Sequence, residues 1–135
     1  MSFDWNQYLE LAKKLAVETS DDASLRSAIS RSYYCVFNIA RARAEANSFR
    51  VKDDAGSHEQ IWSLYGRNDS DPGCLKLATI GPRLKRRRVK ADYRPFVFKL
   101  DQEVADAIAD AEEIISTLAE LAKELPKDVP RSFSY

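Results

Sequence analysis

Trp5, Tyr8, Leu9, Ala12, Leu15 and Ala16 recur at intervals of three and four, the spacing that lays side chains along one face of a helix. Asp4 and Gln7 stand in front of this run at capping-box spacing, so a first helix is expected to end near Thr19. Asp21 and Asp22 supply acidic residues for the start of a second helix, read from Leu25 to Ala46. One stripe on it contains Leu25, Ile29, Val36, Ile39 and Ala40, and an adjoining stripe contains Ala28, Arg31, Tyr34, Cys35, Asn38 and Ala42. A helix with two such faces has neighbours on both sides and belongs at the centre of the molecule.

The polar stretch from Asn47 to Gly56 reads as a surface loop. Ser57 and Gln60 repeat the capping-box spacing and open a short helix through Ile61, Trp62, Leu64 and Tyr65 that stops at Gly66. Arg67 to Gly73 is a second loop. From Cys74 the stripe Leu77, Ile80, Leu84, Arg88, Ala91 is helical, with Gly81-Pro82 inside it. Proline cannot donate to the carbonyl one turn back, which predicts a kink or restart there. Pro95 closes this element, and the last helix runs from about Asp101 to Leu125. Its seam of Val104, Ile108, Ala111, Ile115, Leu118, Ala122 and Leu125 resembles a coiled coil. No segment alternates with period two, so the expected fold is an all-α, antiparallel up-and-down bundle of four to five helices over residues 1–125, with a tail at 126–135.

A chain of 135 residues can bury one core without staples. Cys35 and Cys74 lack C-x-x-C spacing and there is one histidine, which argues against a zinc site or disulfide framework and predicts reduced thiols, no metal and no cofactor. The N-terminus lacks a signal-peptide pattern and no apolar run nears the about 18 residues of a membrane span, so a soluble cytoplasmic protein with no membrane partner is expected.

Charge changes the picture because it is balanced overall, 21 cations against 21 carboxylates, yet strongly segregated. Arg83, Lys85, Arg86, Arg87, Arg88, Lys90 and Arg94 face a single acid, Asp92, while Asp101 to Glu124 holds eight carboxylates against Lys123. The two elements can neutralise each other or present two solvated faces. Seven cations cannot share one helix face, however, and a basic stripe flanked by Tyr93 and Phe96 also suits RNA. Arg88 lies within an apolar stripe and needs a partner, for which Asp92 is nearest, one turn away. Arg31 poses the same problem on the central helix. Each arginine either closes a buried ion pair, snorkels to the surface, or joins the other in an anion-binding cleft.

The string Arg26-Ser27-Ala28-Ile29-Ser30-Arg31-Ser32-Tyr33-Tyr34-Cys35-Val36-Phe37-Asn38 resembles the signature helix of the HEPN superfamily, the higher eukaryotes and prokaryotes nucleotide-binding domain. Arg88-Val89-Lys90-Ala91-Asp92-Tyr93 is similar to that family's Arg-x-x-Ala-Asp-Tyr block, and Phe3-Asp4-Trp5 and Gly56-Ser57-His58 are shorter echoes in the right order.

The resemblance implies a helical bundle, commonly a homodimer, found in prokaryotic toxin-antitoxin, phage-defence and nucleotidyltransferase-linked systems. Catalytic members are metal-independent endoribonucleases with an arginine followed, four to six residues on, by a histidine. The histidine takes the ribose 2′-hydroxyl proton and the arginine stabilises charge on phosphorus. Here that window ends on Tyr93, Arg94 and Pro95. The candidates for catalysis are therefore Arg88, Asp92, Tyr93 and His58, the last arriving from another helix. Candidates for an RNA or nucleotide ligand are Arg31, Tyr34, Arg83, Arg86, Arg87, Arg88 and Lys90. An RNA- or nucleotide-binding component without the usual histidine is the reading these residues favour. The alternatives are a divergent endoribonuclease and a structural partner of a nucleotidyltransferase.

Overall fold

The computed structural model describes residues 2–18, 21–68 and 70–121, and in them the expected all-α bundle forms from five helices with no strand. They are α1 (Asn6–Glu18), α2 (Asp22–Ala46), α3 (Gly56–Gly66), α4 (Pro72–Tyr93) and α5 (Leu100–Glu120). Thr19, and the extension of the last helix through Ala122 and Leu125 into the tail, lie outside the described residues.

Side-chain caps set most of the starts. Asp21 accepts from the Ser24 backbone N–H at 2.8 Å to begin α2, and Asp71 accepts from Gly73 at 2.8 Å to begin α4, with Pro72 in the first turn where its missing donor costs nothing. The two expected capping boxes form differently. Asp4 caps the N–H of Asn6 at 3.0 Å rather than closing a reciprocal pair with Gln7. Before α3, Asp54 takes the Gly56 N–H at 2.9 Å and Ser57 is buried, while Gln60 turns back to the loop, accepting from Lys52 N–H and donating to the Arg50 carbonyl. A loop that must be pinned to the bundle competes successfully for that amide.

α2 packs against all four other helices and is central, as its two faces predict. One core takes residues from every helix, and Ile29, Tyr33, Ile61, Leu64, Leu77, Leu84 and Ile114 are fully buried in it. Side chains of this size contribute about 1.5–3 kcal/mol each on burial. α4 runs antiparallel to α2, since Arg26 meets its C-terminal end and Tyr33, further along α2, meets Arg88, further back along α4, and antiparallel to α5, where Arg83 meets Asp110 and Lys90 meets Glu103. α3 breaks the alternation. Tyr33 meets His58 and Ala40 meets Tyr65, so α3 lies alongside α2 in the same direction, and the 47–55 loop carries the chain back. The second half of α2, about 20 Å long, is well within that loop's reach.

Pro82 neither breaks nor restarts α4, which is one continuous helix. Leu77, Ile80 and Leu84 on both sides of it insert into the same core, and that packing outweighs one lost backbone bond. Gly81 has a different reason for being there: a Cβ at this position would stand 2.3 Å from ring carbons of Trp62. The seam of α5 is also rotated from its expected position. Ala107 and Ile114 are buried whereas Ile108 and Ile115 are only partly so, and Asp110 turns inward with them at 7% exposure.

Two arginines of α2 hold the C-terminal ends of its neighbours. Arg26 donates to the carbonyls of Ala91, Arg94 and Pro95, at 2.9, 2.6 and 3.2 Å, and Arg43 donates to that of Leu118 at 2.8 Å. Both place a cation where a helix leaves its carbonyls unpaired. Cys35 and Cys74 are free and buried, and burial pushes the Cys35 thiol up to about 11. Among the described residues no helix is long and apolar enough to cross a membrane.

Candidate functional site

A helix turns its residues by 100° a step, so the basic run of α4 must divide among several faces. One face meets α5. Arg83 donates to both oxygens of Asp110 at 2.7 and 3.3 Å, Arg87 bonds Asp110 at 3.3 Å and Glu103 at 3.0 Å, and Lys90 pairs with Glu103 at 2.9 Å. Neutralisation between elements is therefore realised for Arg83, Arg87 and Lys90, three of the residues read from sequence as candidate RNA contacts. Asp110 receives two of these arginines, and nothing in the spacing of apolar residues marks it for that role. An acid enclosed by Ala107, Ile108 and Ala109 on one side and Ala111 on the other was the available signal.

A second face points into the groove between α3 and α4. Lys85, Arg86 and Arg94 have no acidic partner among the described residues, and together with Lys90 they border a cleft of about 850 Å³ floored by Trp62, Pro82 and Val89. Lys85 and Arg94 belong to the basic run read from the sequence but not to the ligand candidates drawn from it, because the distinction between paired and unpaired cations depends on where α5 docks.

The third face is the core, where Arg88 is buried at 8% exposure. Its Nη1 donates to Asp92 Oδ2 at 3.2 Å, the partner expected one turn away, and Ser30 donates to the same oxygen at 3.3 Å. The guanidinium lies among three rings, 5.3 Å from the centroid of Tyr34, 5.8 Å from Tyr33 and 5.7 Å from Tyr93. Such ring faces offset part of the cost of desolvating the charge. Its Nε is buried without any hydrogen bond.

Arg31 does not join Arg88. It is exposed, with its guanidinium 4.8 Å from the Tyr8 ring of α1, so it snorkels over an aromatic surface as a long stem allows. Asn38 donates to the Tyr34 carbonyl within its own helix. Of the polar residues on that face of α2, only Tyr34 reaches Arg88.

His58 is drawn inward rather than capping α3. Its ring stacks on Phe37 at 4.2 Å and lies 5.6 Å from Tyr33 and 6.0 Å from Tyr34, which places it across the tyrosine pair from Arg88. The Trp62 indole N–H donates to the Tyr33 hydroxyl at 3.2 Å, and that hydroxyl stands 2.7 Å from His58 Nδ1. Indole nitrogen is only a donor, so the tyrosine oxygen accepts from Trp62 and its own proton goes to Nδ1, the one acceptor it has. The proton of the neutral imidazole is thereby placed on Nε2. Burial first, then the nearby charges of Lys85, Arg88 and Arg41, lower the His58 pKa to about 4.

The helices thus bring Arg88, Asp92, Tyr93, Tyr34 and His58 into one neighbourhood, with an unpartnered guanidinium nitrogen at its centre. A family model for the HEPN domain matches residues 6–122, a span that takes in every described helix. The chain belongs to the HEPN family. No curated protein and no solved structure matches it significantly. Within this HEPN chain the two motif helices, α2 and α4, are those that meet at Arg88. His58 Nδ1 is held in a hydrogen bond with the Tyr33 hydroxyl, and Asp92 is engaged by Arg88 and Ser30.

Proposed function

We propose that this HEPN protein is an RNA- or nucleotide-binding component of a prokaryotic toxin-antitoxin or defence-type system, acting as a homodimer and by binding rather than cleavage. The observation that carries the reading is the sorting of charge on α4: three of its cations are neutralised by α5, while Lys85, Arg86 and Arg94 stand unpaired on the opposite cleft. Unpaired cations along one helix attract phosphate and release counterions when they bind it. The hydrogen bond that ties His58 Nδ1 to Tyr33, and its lowered pKa, support binding over cleavage.

Filter binding with transfer RNA tests this. Affinity should fall steeply between about 50 and 200 mM salt, and Lys85→Ala/Arg86→Ala should weaken binding and flatten the salt slope by up to about two. Absence of binding at low ionic strength would overturn the reading. Prolonged incubation should leave the RNA intact. Fragments that disappear in Arg88→Ala would instead establish the endoribonuclease alternative.

A further inference from the structure

The RNA this surface takes, we infer, is single-stranded, its phosphates following the α3–α4 cleft and its bases stacking on the rings of the segment that leaves α4. The inference rests on the RNA-binding reading above. Arg86 and Lys90 stand one turn apart on α4 and Arg94 follows at its C-cap, so a row of cations borders the cleft up to the segment that leaves the helix, with Lys90 shared with Glu103 of α5. Lys85 stands beside the row. Inside the cleft no aromatic face is free, because Trp62 is 3% exposed and packed on Gly81.

Free aromatic faces begin where the row ends. Tyr93, Phe96 and Phe98 are 74, 73 and 70% exposed, three large rings in six residues that the completed core does not use. The segment is held in place rather than left to collapse. Arg26 bonds the Arg94 and Pro95 carbonyls, the Arg88 guanidinium lies by the Tyr93 ring, and Lys99 Nζ lies 5.5 Å from the Phe98 centroid. A duplex keeps its bases stacked inside and offers such rings only backbone and groove edges, whereas a single strand offers base faces. A second copy of this chain is the rival occupant. Arg94 and Lys99 flank the rings, so a two-fold contact through them brings like charges together, while the same cations attract phosphates.

Fluorescence anisotropy with a labelled mixed-sequence RNA of about twelve nucleotides, alone and annealed to its complement, tests the inference. The single strand should bind at least about tenfold more tightly than the duplex. Phe96→Ala/Phe98→Ala, whose rings lie outside the core and whose circular dichroism should match wild type, should lose about tenfold or more for the single strand with an unchanged salt slope. Equal or tighter duplex binding overturns the inference, as does an unaltered affinity in the double variant. Loss of affinity accompanied by conversion of a dimer to a monomer in light scattering also overturns it, since the rings would then serve self-association. Each of these leaves RNA binding standing. Failure of both RNAs to bind at about 50 mM salt is the separate result that removes the RNA-binding reading itself.

Discussion

His58 is the only histidine in the chain, so its titration can be followed without ambiguity. In the fold its pKa is lowered to about 4 from the ordinary 6.5, and the unfolded chain therefore binds a proton that the native ring refuses. Stability bound to this group is fully present above about pH 6.5 and is lost as pH falls towards 4. The ring resonances should accordingly stay constant from pH 8 to 5 in a nuclear magnetic resonance titration, and urea unfolding should show stability declining from about pH 6.5 to 5. That decline should vanish in His58→Gln. A ring that titrates near 6.5 would contradict the Tyr33–Trp62 relay.

Arg88 and Asp92 differ in exposure, their side chains being 9% and 29% accessible, and removing one is not equivalent to removing the other. Asp92→Ala strands a buried guanidinium and should cost about 3 kcal/mol in chemical denaturation. Arg88→Met keeps the packed stem and leaves a carboxylate that water and Ser30 can satisfy, so it should cost less than about 1.5 kcal/mol. Equal losses would show that Arg88 is solvated.

At the scale of elements, Gly81 is where helix propensity and packing oppose each other. Alanine is better than glycine in a helix interior by up to about 1 kcal/mol, but here its Cβ meets the buried Trp62 ring. Gly81→Ala should therefore lower stability by about 2 kcal/mol or more, measured by thermal melting, with Trp62 fluorescence altered. All five helices were legible in the sequence because each has a continuous apolar stripe and a chemical start or stop. What the stripe did not disclose was rotation about the helix axis. α5 turns to bury Asp110 because two arginines of α4 await it, a gain that apolar spacing does not register. Arg88 was legible as a paired arginine since its partner lies one turn away. His58 was not legible as a ring inside an aromatic cluster, because Phe37, Tyr33 and Trp62 meet it only once the 47–55 loop has laid α3 along α2.

For the whole molecule, zero net charge conceals a division of labour among cations that the bundle itself imposes. Some arginines of α4 are consumed by α5, others remain on the cleft, and two from α2 serve helix ends. The last group has a consequence for how the protein opens. A helix end ordinarily frays by itself, at little cost and on a fast timescale. With Arg26 and Arg43 holding the final carbonyls of α4 and α5, those ends can unravel only by breaking bonds anchored in the most central helix. Hydrogen exchange should find the Arg94 amide, bonded to Lys90, protected in wild type and released toward fraying rates in Arg26→Ala, while amides in the middle of α4 slow or quicken only with global stability. α2 thereby acts as a latch on cooperativity: the ends of α4 and α5 open with the core of the bundle rather than ahead of it.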